Sequence, residues 1–344
     1  MMGYEYRPSW LCFGARRAGR QRPRVSRISL ASALLGGVLT TLLATGATPP
    51  AFASSVPAAA VDQASWSARK KTVELRNGVR LAYVEAGDAR GTPLVLLHGY
   101  TDTSRLWSIL VPYLARYRLL IPDQRGHGGS SAPECCYAPA DFAYDTKLFL
   151  DALNIRKAAI VGSSMGSIVA QLFAAEYPER TDAIVLAGST ALVPLVREQP
   201  LWSILTSTTA PARQNESFLG EWSPGSSPTP VDPVFVRYFD REMAAIPTHV
   251  WRGVIRELTG FAVARHAADV RARVLILSGG KDALFGPEHH TALTQAYPTA
   301  SAAVLADLGH NLVVERPEVV APTIVSFLDE AVSVHIAMPR TQGG

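Results

Sequence analysis

A short apolar run, Ala158-Ala159-Ile160-Val161, meets Gly162-Ser163-Ser164-Met165-Gly166 and continues into Ser167-Ile168-Val169-Ala170. That layout reads as a buried strand, a sharp turn and a helix. A turn this tight brings the backbone close to neighbouring elements at 162 and 166, where a Cβ would clash, and glycine answers both positions. Ser164 stands at the apex. Its Oγ is exposed above the sheet, and the N–H of Met165, in the first turn of the helix, points at whatever that oxygen attacks. The pentapeptide alone also describes a serine-capped helix after a buried strand, so the decision rests on partners elsewhere in the chain.

Around this stretch the pattern alternates. Val73 to Leu75 and Val79 to Glu85 flank Asn77-Gly78, a strong hairpin signal, so two antiparallel strands open the fold. Leu94-Val95-Leu96-Leu97 is a continuous apolar run of the kind found in strands buried on both faces of a parallel sheet. A helix over 104–115, a strand over 117–121, a helix over 141–153, a strand over 157–161, a helix over 165–177 and a strand over 183–187 follow. The rhythm resumes with a strand over 274–277, a helix over 287–297, a strand over 302–305 and a last helix over 317–332. The expected fold class is α/β, a mostly parallel, doubly wound sheet.

The rhythm fails between about 191 and 260. This segment carries Trp202, Phe218, Trp222, Phe235, Tyr238, Phe239 and Trp251, with Phe261 just beyond, and a proline-rich loop through Pro224, Pro228, Pro230 and Pro233. Its clearest helix spans 250–258. It reads as an inserted helical lid over the carboxyl edge of the sheet, with Trp202, Trp222, Phe239 and Trp251 as candidate substrate contacts. The plainer reading makes the same aromatics the core of a small packed subdomain.

A nucleophilic serine needs a base, and the base needs an acid to orient it. In an open α/β sheet both belong just past the carboxyl ends of strands. Asp282 follows the strand at 274–277, and His310 follows the strand at 302–305. The chain order serine, acid, histidine is that of an elbow-type hydrolase. The strand at 183–187 ends in Gly188-Ser189-Thr190, which offers no acid, and Asp307 is the substitute for Asp282. Among the other histidines, His289 and His290 are expected to face solvent on an amphipathic helix. His249, His266 and His335 fall in or near the insertion and the tail, and His98 and His127 read as loop braces. A second oxyanion donor is expected from the Tyr100 N–H in His98-Gly99-Tyr100-Thr101-Asp102, beside that of Met165.

The net charge of +4 over 344 residues invites a nucleic-acid reading. Seven of the basic residues, all arginines, lie in the first 53 positions against one acid, Glu5; the remainder holds 26 basic and 28 acidic residues, so that reading loses its support. The arginines precede an apolar stretch from Ile28 to Ala47, broken by Gly36, Gly37 and Gly46, and then Ala51-Phe52-Ala53 before Ser54. Charged region, apolar region and small-x-small site predict an export signal over 1–53, cleaved at Ala53/Ser54 and leaving no stable membrane anchor. A flexible lead-in is expected over 54–69, the domain over 70–334 and an unpatterned tail over 335–344. Cys135 and Cys136 are adjacent, so a small disulfide ring and two free or intermolecularly paired thiols both stay open. No Cys and His spacing suits a metal.

From about Lys70 to Val332 the chain resembles the α/β-hydrolase superfamily, in particular its lid-bearing esterases, lactonases, cofactor-free haloperoxidases and carbon–carbon bond hydrolases. The matching residues are His98-Gly99-Tyr100 with Trp107, Asp123-Gln124-Arg125-Gly126-His127-Gly128 with Ser130, Gly162-Ser163-Ser164-Met165-Gly166, Gly279-Gly280-Lys281-Asp282 and Gly309-His310. The resemblance implies a Ser164, Asp282, His310 triad, no cofactor and no metal. Relatives that open epoxides or displace halide carry aspartate at the elbow, so those activities are not expected. The expected function is a secreted serine hydrolase of small to medium apolar esters or lactones working through an acyl-enzyme. Perhydrolase or carbon–carbon bond chemistry is the alternative, and a non-catalytic ligand-binding protein stands behind both. The expected partner is a small-molecule substrate, and the oligomeric state stays open.

Overall fold

Apolar runs buried on both faces decide the architecture. In the computed structural model, which describes residues 61–194, 220 and 223–337, Leu94 to Leu97 are fully buried in a strand at the middle of an eight-stranded sheet. The strands are β1 (Lys71–Glu74), β2 (Arg80–Gly87), β3 (Pro93–Leu97), β4 (Arg118–Pro122), β5 (Ala158–Ser163), β6 (Thr181–Ala187), β7 (Arg273–Gly279) and β8 (Ser301–Leu305), in spatial order β1-β2-β4-β3-β5-β6-β7-β8. The first hairpin is antiparallel, β2 pairs antiparallel with β4, and the remaining pairs are parallel. From β3 the chain winds first to β4 and then back across to β5. That reversal opens a crevice beyond the carboxyl ends of β3 and β5, where ligands of such sheets bind.

Helices cover the sheet. α1 (Pro139–Ala152) packs on α2 (Met165–Glu176), and α2 lies against β5 and β6. The inserted segment supplies α3 (Pro233–Ala244) and α4 (Thr248–Leu258). Then come α5 (Pro287–Ala296), the single turn α6 (Leu312–Glu315) and α7 (Pro317–Ala337), the last against β6 and β7.

Several boundaries differ from the sequence expectation. Part of the lead-in expected to be flexible is packed: Trp66 is fully buried and its Nε1 donates to Ser104 Oγ at 3.3 Å, while Gln63 Nε2 donates to Ser108 Oγ at 3.0 Å. The helix expected over 104–115 is a 3-10 segment, Ser104–Leu110, started by Thr103, whose side chain accepts the Arg105 N–H at 3.2 Å, and Ser104 to Ser108 are all buried. The last helix runs into the expected tail, to Ala337. α3 is an added element. Pro233 begins it as a first-turn proline after Asp232, whose Oδ1 accepts the Val234 N–H at 2.8 Å, an arrangement that starts helices. Cys135 and Cys136 are joined as a disulfide in an exposed loop. The export signal, the lead-in up to residue 60, and Trp202, Phe218 and Trp222 lie outside the described residues.

Candidate active site

The elbow is built by two close approaches. A Cβ at Gly162 would meet Gly166 O at 2.2 Å, and one at Gly166 would meet Leu97 O at 2.2 Å, so only glycine lets β5, α2 and β3 come this close. Between them Ser164 takes φ of 51°, a conformation that a side-chain-bearing residue adopts only when the surroundings hold it there. They do so in part through its N–H, which donates to Ala187 O at 2.9 Å at the end of β6.

Ser164, Asp282 and His310 come together. Ser164 Oγ lies 2.8 Å from His310 Nε2, and His310 Nδ1 lies 2.8 Å from Asp282 Oδ2. The other carboxylate oxygen, Oδ1, accepts the Leu284 and Phe285 N–H groups, both at 2.9 Å. Burial by itself would raise the Asp282 carboxyl; the His310 hydrogen bond and charge, with the Phe285 and Leu284 amides, outweigh it and hold the carboxyl below its ordinary value. Asp282 therefore stays ionised and fixes the imidazole with its proton on Nδ1 and a lone pair on Nε2 toward the serine. Such a chain can take the serine proton as Oγ attacks an electrophilic carbon.

The loops around these residues are braced by groups the motifs did not single out. Glu315 is buried and both its oxygens accept the Gly309 N–H, at 2.9 and 3.0 Å, which holds the peptide just ahead of His310. The Phe285 ring meets the His310 imidazole edge to face at 5.2 Å. His98 and His127 do brace a loop: His98 Nε2 accepts the Gln124 N–H at 2.9 Å, and the ring nitrogens of His127 lie 2.8 and 2.6 Å from the carbonyl oxygens of Arg125 and Tyr100. His289 and His290 do not simply face solvent. Their Nδ1 atoms lie 2.7 Å from Thr190 Oγ1 and 2.9 Å from Ser278 Oγ, because the helix carrying them packs over the ends of β6 and β7.

A cavity of about 310 Å³ opens above the serine. The candidate oxyanion loop supplies Tyr100, Thr101 and Asp102; the inserted segment supplies Ser226, Ser227 and Pro228; Leu284 and Asn311 come from the acid and histidine loops. Met165 opens α2, whose first-turn amides have no intrahelical acceptor. Among the described residues, the inserted segment contributes small residues to this wall, two serines and a proline. Phe239 and Trp251 line no part of this cavity; both are buried, Phe239 against the Phe235 ring at 5.6 Å and Trp251 against Tyr100 at 5.5 Å. Tyr238 lies under the Arg105 guanidinium at 5.2 Å and Phe261 against His266. Trp251 and Tyr238 tie the insertion to the body of the protein through Tyr100 and Arg105, while Phe235 and Phe239 pack on each other within it; size and apolarity alone do not distinguish these roles from substrate contact.

Comparison with known proteins agrees with this architecture. The family model described as alpha/beta hydrolase fold matches residues 92–317. The chain is similar to Lipase 1 of Psychrobacter immobilis, 27% identical over 75% of this chain and 83% of that one. It is similar to a serine hydrolase-like protein of Danio rerio, 37% identical over 31% of this chain, and spans only about a third, 34%, of that relative's length. Among solved structures, a hydrolase from Pseudomonas aeruginosa superimposes with a TM-score of 0.67 at 27% identity, covering 75% of this chain and 98% of that one.

Proposed function

The chain belongs to the α/β-hydrolase fold family, and from that membership we propose that it is a serine hydrolase that cleaves small to medium carboxylic esters or lactones through an acyl-enzyme. The observation that carries this reading is the unbroken hydrogen-bonded chain from Ser164 Oγ through His310 to Asp282 at the floor of an open cavity. In the proposed cycle His310 Nε2 takes the Ser164 proton as Oγ bonds to the acyl carbon. The Tyr100 and Met165 N–H groups hold the tetrahedral oxyanion, where one such donor is worth about 10² to 10³ in turnover. His310 then gives its proton to the departing alcohol oxygen. Water, deprotonated by the same nitrogen, attacks the acyl-enzyme, and the acid leaves as His310 returns that proton to Ser164 Oγ. The mixed lining of the cavity narrows the expectation: a substrate portion resting on Ser226, Ser227 and Asn311 is better matched by a polar group than by a long hydrocarbon.

The test is labelling with a fluorophosphonate. The serine reading expects one modified peptide, containing Ser164, together with loss of p-nitrophenyl ester hydrolysis; hydrolysis that survives complete labelling of Ser164 would defeat it. Export of the mature chain is part of the same proposal, supported by the arginine-rich start, the apolar stretch and the Ala51-Phe52-Ala53 site.

A further inference from the structure

We propose that Asp102 is a substrate-recognition residue, whose free carboxyl oxygen accepts a hydrogen bond from a hydroxyl beside the scissile ester, so that the site prefers hydroxylated esters to their hydrocarbon counterparts. The proposal rests on the serine-hydrolase reading of the same site and names its substrate class.

The two oxygens of Asp102 have different surroundings. Oδ2 accepts the Gly99 N–H at 2.9 Å, which closes the turn that presents the Tyr100 amide. Oδ1 has no hydrogen-bond partner among the described residues, and Asp102 lines the cavity above Ser164. The carboxyl is close to the nucleophile: the point where a Cβ on Gly99 would sit is 2.5 Å from Asp102 Oδ2 and 3.3 Å from Ser164 Cβ. A carboxyl here is out of keeping with a site built for hydrocarbon esters. Its charge would oppose the negative charge that gathers on the acyl oxygen, and its unpaired oxygen would be stranded when substrate excludes water.

A hydroxyl on the substrate answers both difficulties, because it donates to Oδ1 and offsets the local charge. Part of the described wall is polar as well. Ser226, Ser227 and Asn311 line the cavity beside Pro228, Ala283 and Leu284, with Asn311 Nδ2 donating to Ser227 Oγ at 3.1 Å. Protein encloses Asp102 except on its cavity side, and burial pushes its carboxyl up to about 6 against the opposing effects of the Gly99 amide and His310. At neutral pH such a carboxyl is still largely ionised, so its cavity-side oxygen acts as an acceptor.

The experiment compares matched esters on wild type, Asp102→Asn and Asp102→Leu. p-Nitrophenyl butyrate against p-nitrophenyl β-hydroxybutyrate places the hydroxyl on the acyl side; ethyl butyrate against glycol monobutyrate places it on the alcohol side. The readout is the ratio of kcat/KM within each variant, so that a general loss of activity cancels. The expected result is a preference of at least about tenfold for the hydroxyl ester on one side in wild type, falling toward parity in Asp102→Leu, whose side chain can neither accept nor donate. Asp102→Asn keeps an oxygen for the Gly99 N–H, and its NH₂ can donate to the hydroxyl oxygen, so it is expected to retain part of the preference. Parity in wild type on both sides, or an unchanged ratio in Asp102→Leu, would overturn the assignment. A larger preference for the β-amino ester than for the β-hydroxy ester would also overturn it. Binding of the four esters to Ser164→Ala, with and without Asp102→Leu, reads the same contact without turnover, so a failure of the serine mechanism is seen separately.

Discussion

Arg105 and Glu242 meet across the joint between the inserted segment and the body of the protein, 137 residues apart in sequence, with Arg105 Nη2 2.5 Å from Glu242 Oε1 and the arginine side chain 2% exposed. The guanidinium also donates to Gln63 O at 2.7 Å and to Ser67 Oγ at 3.1 Å, so one residue ties the leading segment, the loop after β3 and helix α3 together. Thr103 Oγ1 donates to Oε2 of the same glutamate. Thr103 closes the loop that carries Tyr100 and Asp102. Docking of the inserted segment and the geometry of the candidate oxyanion loop therefore share a support.

Removing Glu242 leaves Arg105 buried without its counter-charge. Breaking one side of such a pair costs about 3 to 5 kcal/mol. Glu242→Ala is accordingly expected to lower unfolding free energy by an amount in that range in urea titrations, and Glu242→Gln, which can still accept from Thr103, by less. A loss for Glu242→Ala below about 1 kcal/mol would mean that the pair behaves as a solvent-screened surface contact.

What could be read from the sequence follows from how each signal arises. Strands β3, β5 and β6 are buried on both faces, so burial wrote continuous apolar runs into Leu94 to Leu97 and Ala183 to Ala187. The elbow was legible because its glycines answer a steric need at fixed spacing. The cavity wall was not: Ser226, Ser227 and Pro228 are small, common residues whose significance comes only from where α3 and the β8 loop place them. The same holds for Glu315, whose partner is the backbone of Gly309, and for Asp102, which the motif reading passed over as part of a loop.

Ser164→Ala and His310→Ala are each expected to reduce ester hydrolysis to near background while leaving the folded state intact, since the two form one hydrogen-bonded unit 2.8 Å apart. Losses within such a unit are not additive. The double variant should be little worse than either single one when kcat is measured on a p-nitrophenyl ester. A double variant many-fold slower than both would show that the residues act separately.

Phe239→Ala addresses the lid aromatics. The ring is buried against Phe235 and away from the cavity, so its truncation is expected to cost about 3 to 5 kcal/mol in stability and to leave the ranking of short and long esters unchanged. A changed ranking with unaltered stability would return this aromatic to the substrate.

Export makes a prediction that needs no activity assay. Expressed in a secreting host, the chain should appear outside the cell with its amino terminus near Ser54, as read by intact-mass and terminal-peptide spectrometry. Recovery of the full-length chain from the cytosol or the membrane fraction would defeat the export proposal and leave the site chemistry untouched.

Asp102 gives the stability a pH dependence whose sign is opposite to that of Asp282. The Asp102 carboxyl is raised in the folded protein, from an ordinary value of 3.8 to about 6, chiefly by burial. Between those values the native state holds a proton that the unfolded chain has released, so stability falls as pH rises through the window and the deficit is complete above about 6. Asp282 is lowered, so its contribution is present above the unfolded carboxylate range and is lost as pH falls through its folded value. Asp102→Asn removes the first effect alone. Relative to wild type it should be more stable by about 1 to 3 kcal/mol at pH 7.5, the upper figure reduced for the open cavity side, and no more stable near pH 3.5. Paired urea titrations at the two pH values check this; an equal difference at both would mean that the substitution acts through packing of the Gly99 turn and not through the charge.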